Sequence, residues 1–123
     1  MKLVKFVNGL DFQTEVVSAS LPVLIDVTAP WCAPCRAAAP VIDELVSLYS
    51  GRLKVVAIDG EQAPELVADL AVRGFPTFLG LVRGEVVLRQ AGFGGRIALL
   101  RLADTLLGLA QKSSSVLAPG PSA

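Results

Sequence analysis

Val23-Leu24-Ile25-Asp26-Val27-Thr28 leads through Ala29-Pro30 into Trp31-Cys32-Ala33-Pro34-Cys35-Arg36. The first stretch is a near-continuous apolar run, the pattern of a central strand covered on both faces. Cys32 and Cys35, the only two cysteines of the chain, fall where that strand gives way to a helix. Two thiols on one helical turn can close a disulfide. The unpaired N–H groups of a first turn also favour a negative charge on one of them. Such a pair is suited to electron exchange.

Working outward, Cys32 to about Ser50 reads as a helix with Val41, Ile42, Leu45, Val46, Leu48 and Tyr49 on its buried side. Pro40 should bend it, and Gly51 should end it. Leu53 to Asp59 is a second buried strand. Pro64 opens a helix with a stripe of Leu66, Val67, Leu70 and Ala71. Thr77 to Val82 and Glu85 to Gln90 flank Arg83-Gly84, which signals a hairpin. Gly92, Gly94 and Gly95 precede a last helix, Arg96 to Gln111. Upstream, Lys2 to Val7 reads as a strand ended by Asn8-Gly9, and Phe12 and Val16 share one face of a short helix before Pro22. The expected order is β-α-β-α-β-α-β-β-α. That is an α/β class domain over residues 1–111, with a mixed sheet of about five strands and helices on both faces. Residues 112–123, rich in Ser, Pro and Gly, have nothing to bury and are expected to form a disordered tail.

Composition narrows the chemistry. The 123 residues suffice for one domain with its own core, and 53% of them are hydrophobic, giving a mean hydropathy of +0.61. No apolar stretch is long enough to span a bilayer, because Ile97 to Ala110 is interrupted by Arg101 and Asp104. Eleven basic and eleven acidic residues cancel without forming a block, which argues against nucleic acid or an acidic membrane as partner. Met1-Lys2-Leu3-Val4-Lys5 lacks the apolar stretch of a signal peptide, so a cytoplasmic location is expected. In a reducing compartment, a single cysteine pair points to catalysis or metal binding before a structural bridge. The chain has no histidine. That excludes Cys–His and Ser–His catalysis and histidine-ligated metals, and two cysteines cannot complete a tetrahedral zinc site within one chain. Three readings of the pair remain: a redox couple, two packed core thiols, or half of a metal or iron–sulfur site shared across a dimer.

Taken together, Trp31-Cys32-Ala33-Pro34-Cys35, Asp26 upstream and Gly74-Phe75-Pro76-Thr77 downstream resemble the thioredoxin family, over roughly residues 1–110 by element order and spacing. The resemblance implies the thioredoxin fold and a general protein disulfide reductase. Cys32 would be an exposed attacking thiol, Cys35 the resolving thiol, and Asp26 a buried proton acceptor for Cys35. Ala33, Pro34 and Arg36 would tune the couple. Pro76 would follow a cis bond, with Phe75 offering its backbone to an extended substrate. Trp31, Pro34, Gly74, Phe75, Ala91, Gly92 and Phe93 would surround the sulfurs as a flat, mostly apolar docking platform.

No bound cofactor is implied beyond the redox-active disulfide. Electrons would come from NADPH through thioredoxin reductase, and the partners would be that reductase and disulfide-bearing clients of a monomer. Three positions depart from the family pattern. Ala33 replaces the commonest glycine, Ala57 a usual lysine, and Thr28 a frequent aromatic. Lys54 cannot stand in for the lysine, since an odd offset along a strand points to the other face. Asp26 is therefore expected to be hard to ionise. The departures also suit a redox partner dedicated to one client.

Overall fold

Two strands at the centre of the sheet set the frame for everything else. The computed structural model describes the backbone of residues 3–117 and the side chains of residues 3–112. Its strands are β1 (Lys5–Phe6), β2 (Val23–Thr28), β3 (Lys54–Asp59), β4 (Thr77–Val82) and β5 (Glu85–Ala91). Its helices are α1 (Ala33–Leu48), α2 (Pro64–Asp69) and α3 (Arg96–Leu117), and a single π-helical turn spans Gln13–Val17. The sheet order is β1-β3-β2-β4-β5. β3 runs parallel to β1 and β2, whereas β4 is antiparallel to β2 and β5. This is the mixed five-stranded sheet expected from the sequence.

Every residue of β2 is buried, because the strand is hydrogen-bonded on both edges and covered on both faces. One face packs Leu24, Ala57 and Phe78 against Ala38, Ile42 and Leu45 of α1 and Leu99, Ala103 and Leu106 of α3. The other packs Val23, Ile25, Val27, Val56, Ile58 and Leu79 against Val16 of the π turn and Leu66 of α2. Strand alternation sends consecutive β2 residues into different cores, which is why Asp26 is the one polar residue of the run before Thr28 at its end.

Several boundaries differ from the sequence reading. Only Lys5 and Phe6 of the first strand pair with β3, although Val4 and Val7 beside them are buried. Leu48 and Tyr49 are both expected on the buried side of α1, but Leu48 is half exposed and only Tyr49 turns inward, its hydroxyl donating to Asp104 at 2.6 Å. Ala71 leaves the α2 stripe as well. It takes a left-handed φ of 55° just after the helix, and Val72 is the buried residue there. Residues 112–117, expected in the tail, are helical instead. No Gly or Pro interrupts residues 112–117, serine costs a helix only a few tenths of a kcal/mol, and α3 runs on to Leu117. The rest of that tail, 118–123, lies outside the described residues. Among the described residues no helix is long and apolar enough to cross a membrane.

The β4–β5 hairpin turns at Arg83 and Gly84 with φ of 53° and 81°. Two positive values are what a type I′ turn requires. A Cβ on Gly84 would also sit 2.9 Å from Cγ1 of Val17. Gly84→Ala is expected to cost about 1–2 kcal/mol in urea unfolding, from backbone strain together with that contact.

Candidate active site

Cys32 caps α1 from outside the helix. Its φ and ψ of −89° and 115° are extended, and its sulfur accepts the N–H of Cys35 at 3.2 Å. Pro34 has no N–H to offer, so the Cys35 amide is the first-turn donor aimed at the sulfur. The two sulfurs are joined as a disulfide. In the dithiol state the same amide and the aligned peptide dipoles of α1 would favour a thiolate at Cys32. The sulfur expected to be exposed is nearly covered: Cys32 shows 4% of its surface and Cys35 1%. Ala29 and Phe75 pack over the pair and account for this.

The loop before β4 supplies the opposing wall. The Phe75–Pro76 peptide is cis, and the Phe75 carbonyl oxygen lies 3.5 Å from the Cys32 sulfur. Thr77 donates its hydroxyl to the Gly74 carbonyl at 2.7 Å, and Gly92 donates its N–H to the Pro76 carbonyl at 2.8 Å. The segment is therefore held on both sides of Phe75. Trp31, 62% exposed, meets the Phe75 ring edge-on, with centroids 5.8 Å apart and planes at 77°. Arg36 donates its guanidinium to the Pro30 carbonyl at 3.1 Å, fastening the loop before Cys32 to the helix after it.

Asp26 is wholly buried. It pairs in register with Ala57 on one side and Phe78 on the other, both also wholly buried. Neither carboxyl oxygen has a hydrogen-bond partner among the described residues. Burial alone pushes the carboxyl up to about 7. The methyl of Ala57 stands where a lysine would have supplied a cation. Lys54 faces the other way, its ammonium donating to the Glu15 carbonyl at 2.7 Å and the Glu15 carboxylate at 3.2 Å.

The family model Thioredoxin matches residues 3–105. The chain belongs to the thioredoxin family. It is 39% identical over 92 residues to the thioredoxin of Haemophilus influenzae, an alignment covering 75% of this chain and 86% of that one. It is 40% identical over 100 residues to thioredoxin C-2 of Corynebacterium nephridii, covering 80% and 93%. To thioredoxin 1 of Synechococcus elongatus it is 36% identical over 106 residues, covering 86% and 96%. Membership in this family makes it a thiol-disulfide oxidoreductase with a redox-active disulfide at Cys32 and Cys35.

Set against that thioredoxin framework, most of the expected site residues come together. Trp31, Cys32, Phe75, Pro76 and Gly92 are linked by the contacts above, while Ala33 and Pro34 are exposed on the first turn of α1. Gly74 and Ala91 line a neighbouring shallow recess with Arg73 and Arg89. Phe93 departs from the expected platform: it is partly buried and packs against the α1 and α3 core. Thr28, where thioredoxins often carry an aromatic, lines a cavity of about 340 Å³ with Pro30, Cys35, Arg36 and Asp59. The smaller side chain leaves room beside the second sulfur. A larger cavity of about 550 Å³ lies at the other end of β2, around Pro22, Arg52, Arg83 and Asp104, remote from the sulfurs.

Gly60 escaped the sequence reading. A side chain there would run into the Phe75 ring. No motif contains Gly60, and only its distance from Phe75 in space, not along the chain, gives it meaning.

Proposed function

We propose that this thioredoxin-family protein is a general protein disulfide reductase that receives its electrons from NADPH through a thioredoxin reductase. The observation that carries the reading is the Cys32–Cys35 disulfide at the start of α1, with the Cys32 sulfur facing the Phe75 carbonyl. In the forward direction the Cys32 thiolate attacks one sulfur of a client disulfide. A Cys32–client S–S bond forms, the client S–S bond breaks, and one client thiolate leaves. Asp26 then takes the Cys35 proton, and the Cys35 thiolate attacks the Cys32 sulfur. The Cys32–Cys35 bond forms and the second client thiolate departs. Two electrons have then passed to the client, whose thiolates take up one proton released from Asp26 and one from solvent, and the protein is left oxidised.

The exposed Trp31 indole, the Phe75 edge and the small residues Gly74, Ala91 and Gly92 suit a docking surface that selects by accessible disulfides and apolar contact. The same reading makes the protein a cytoplasmic monomer, since a pair that must return to the dithiol state suits a reducing compartment.

With thioredoxin reductase and NADPH, the purified protein is expected to reduce insulin disulfides catalytically, followed by NADPH oxidation. Turnover on one particular client with none on insulin would replace the general reading with a dedicated redox partner.

A further inference from the structure

Gly60 follows β3, and its N–H donates to the Thr28 carbonyl at 2.8 Å, so its backbone is tied to β2. Its φ lies outside the left-handed region, and the backbone there would accept any residue. Space is what demands glycine. A Cβ would overlap Cε1 and Cζ of Phe75 and approach Cγ2 of Val67 to 3.3 Å. The Phe75 ring fills the place a side chain at 60 would take. From that seat it packs against the α2-side core and, on its other side, against Ala29, Cys32 and Cys35.

The backbone of Phe75 cannot yield freely to a displaced ring. Thr77 holds the Gly74 carbonyl, Gly92 holds the Pro76 carbonyl, and Pro76 itself is buried. Pushing the ring out therefore forces one of two changes: loss of the edge contact with Trp31, or movement of the Phe75 carbonyl from the Cys32 sulfur. Both lie at the reacting atom. We infer that Gly60 is a positioning residue for the redox reaction: its missing side chain seats Phe75 so that the carbonyl and the Trp31 edge flank Cys32. The inference rests on the disulfide-reductase reading.

Gly60→Ala and the double variant Gly60→Ala/Phe75→Leu test it, because leucine lacks the two ring atoms that a methyl at 60 would meet. The single variant should lose roughly tenfold in kcat/KM on insulin, the scale expected for small misplacements at a reacting centre. It should also shift the pH midpoint of Cys32 alkylation downward, because the partial negative charge of the carbonyl opposes the thiolate. The double variant should return the midpoint to the wild-type value; it is read by the midpoint alone, because Phe75 also belongs to the docking surface. A single variant that is less stable but keeps the midpoint would overturn the inference, and so would a double variant whose midpoint stays shifted. If Gly60→Ala does not fold, a folded double variant with a native midpoint supports the seat, and an unfolded one overturns it. Alkylation needs no client. Were the wild type inactive on insulin, the midpoint would still decide this inference separately from the function.

Discussion

Cys35→Ser is expected to arrest the protein as a covalent adduct with its client. Cys32 can still attack, since its cap position and the amide of residue 35 are backbone features that serine preserves. The second step is lost. A neighbouring thiol held within one helical turn acts at an effective molarity of about 10⁵ M or more, whereas external thiols work at millimolar levels; turnover should fall by about a thousandfold or more. Non-reducing electrophoresis and intact mass would show the adduct, and added dithiol would release it. Cys32→Ser should form no adduct at all and lose turnover as completely. Unimpaired insulin reduction by Cys35→Ser would mean that Cys35 does not resolve the adduct, and the two-thiol cycle would have to be abandoned.

The arrangement that makes this expectation possible was largely legible in the chain, for reasons that differ from residue to residue. β2 announces itself because a strand covered on both faces tolerates almost no polar residue, and Asp26 stands out for the same reason. The hairpin is readable because Arg83-Gly84 must supply two positive φ values. Periodicity overshoots at helix ends, where the last residues no longer obey the helical face: of the adjacent pair Leu48 and Tyr49 only Tyr49 is buried, and Ala71 cedes its place to Val72. The cis bond before Pro76 is not dictated by local sequence at all and was available only through the family resemblance. The near-complete covering of Cys32 and the role of Gly60 depend on where Phe75 lies in space. No spacing rule reports a contact between a glycine and a ring on a different loop.

Asp26 gives the second large effect, and its sign follows from burial. In the unfolded chain this carboxyl titrates near its ordinary value of 3.8; in the folded protein burial holds it at about 7. Between those values the native state keeps a proton that the unfolded state has lost, so stability falls as pH rises. The advantage is full below the unfolded value and is lost on passing through the folded one. At 1.36 kcal/mol per pH unit the decline amounts to about 4 kcal/mol, levelling off above pH 7. Urea titrations of the oxidised protein from pH 4 to 8 should show this slope, and Asp26→Ala should remove most of it. Above pH 7 that variant should be the more stable protein, because an uncompensated buried charge is gone and only a small cavity replaces it.

Stability gained this way should come with lost chemistry. A carboxyl that titrates near 7 can accept a proton from Cys35 at the pH where it works, and general-base assistance of this kind is worth roughly a hundredfold. Asp26→Ala should therefore slow resolution of the mixed disulfide by about that factor and lack the rise in rate expected of the wild type as pH passes through about 7. A wild-type stability that stays flat across that range would show that Asp26 ionises as readily as a surface carboxylate. A variant that gains stability while keeping both the rate and its pH dependence would leave Asp26 buried at a cost with no part in the reaction, and the proton from Cys35 would need another acceptor. The two measurements separate the energetics of burial from the chemistry that burial serves.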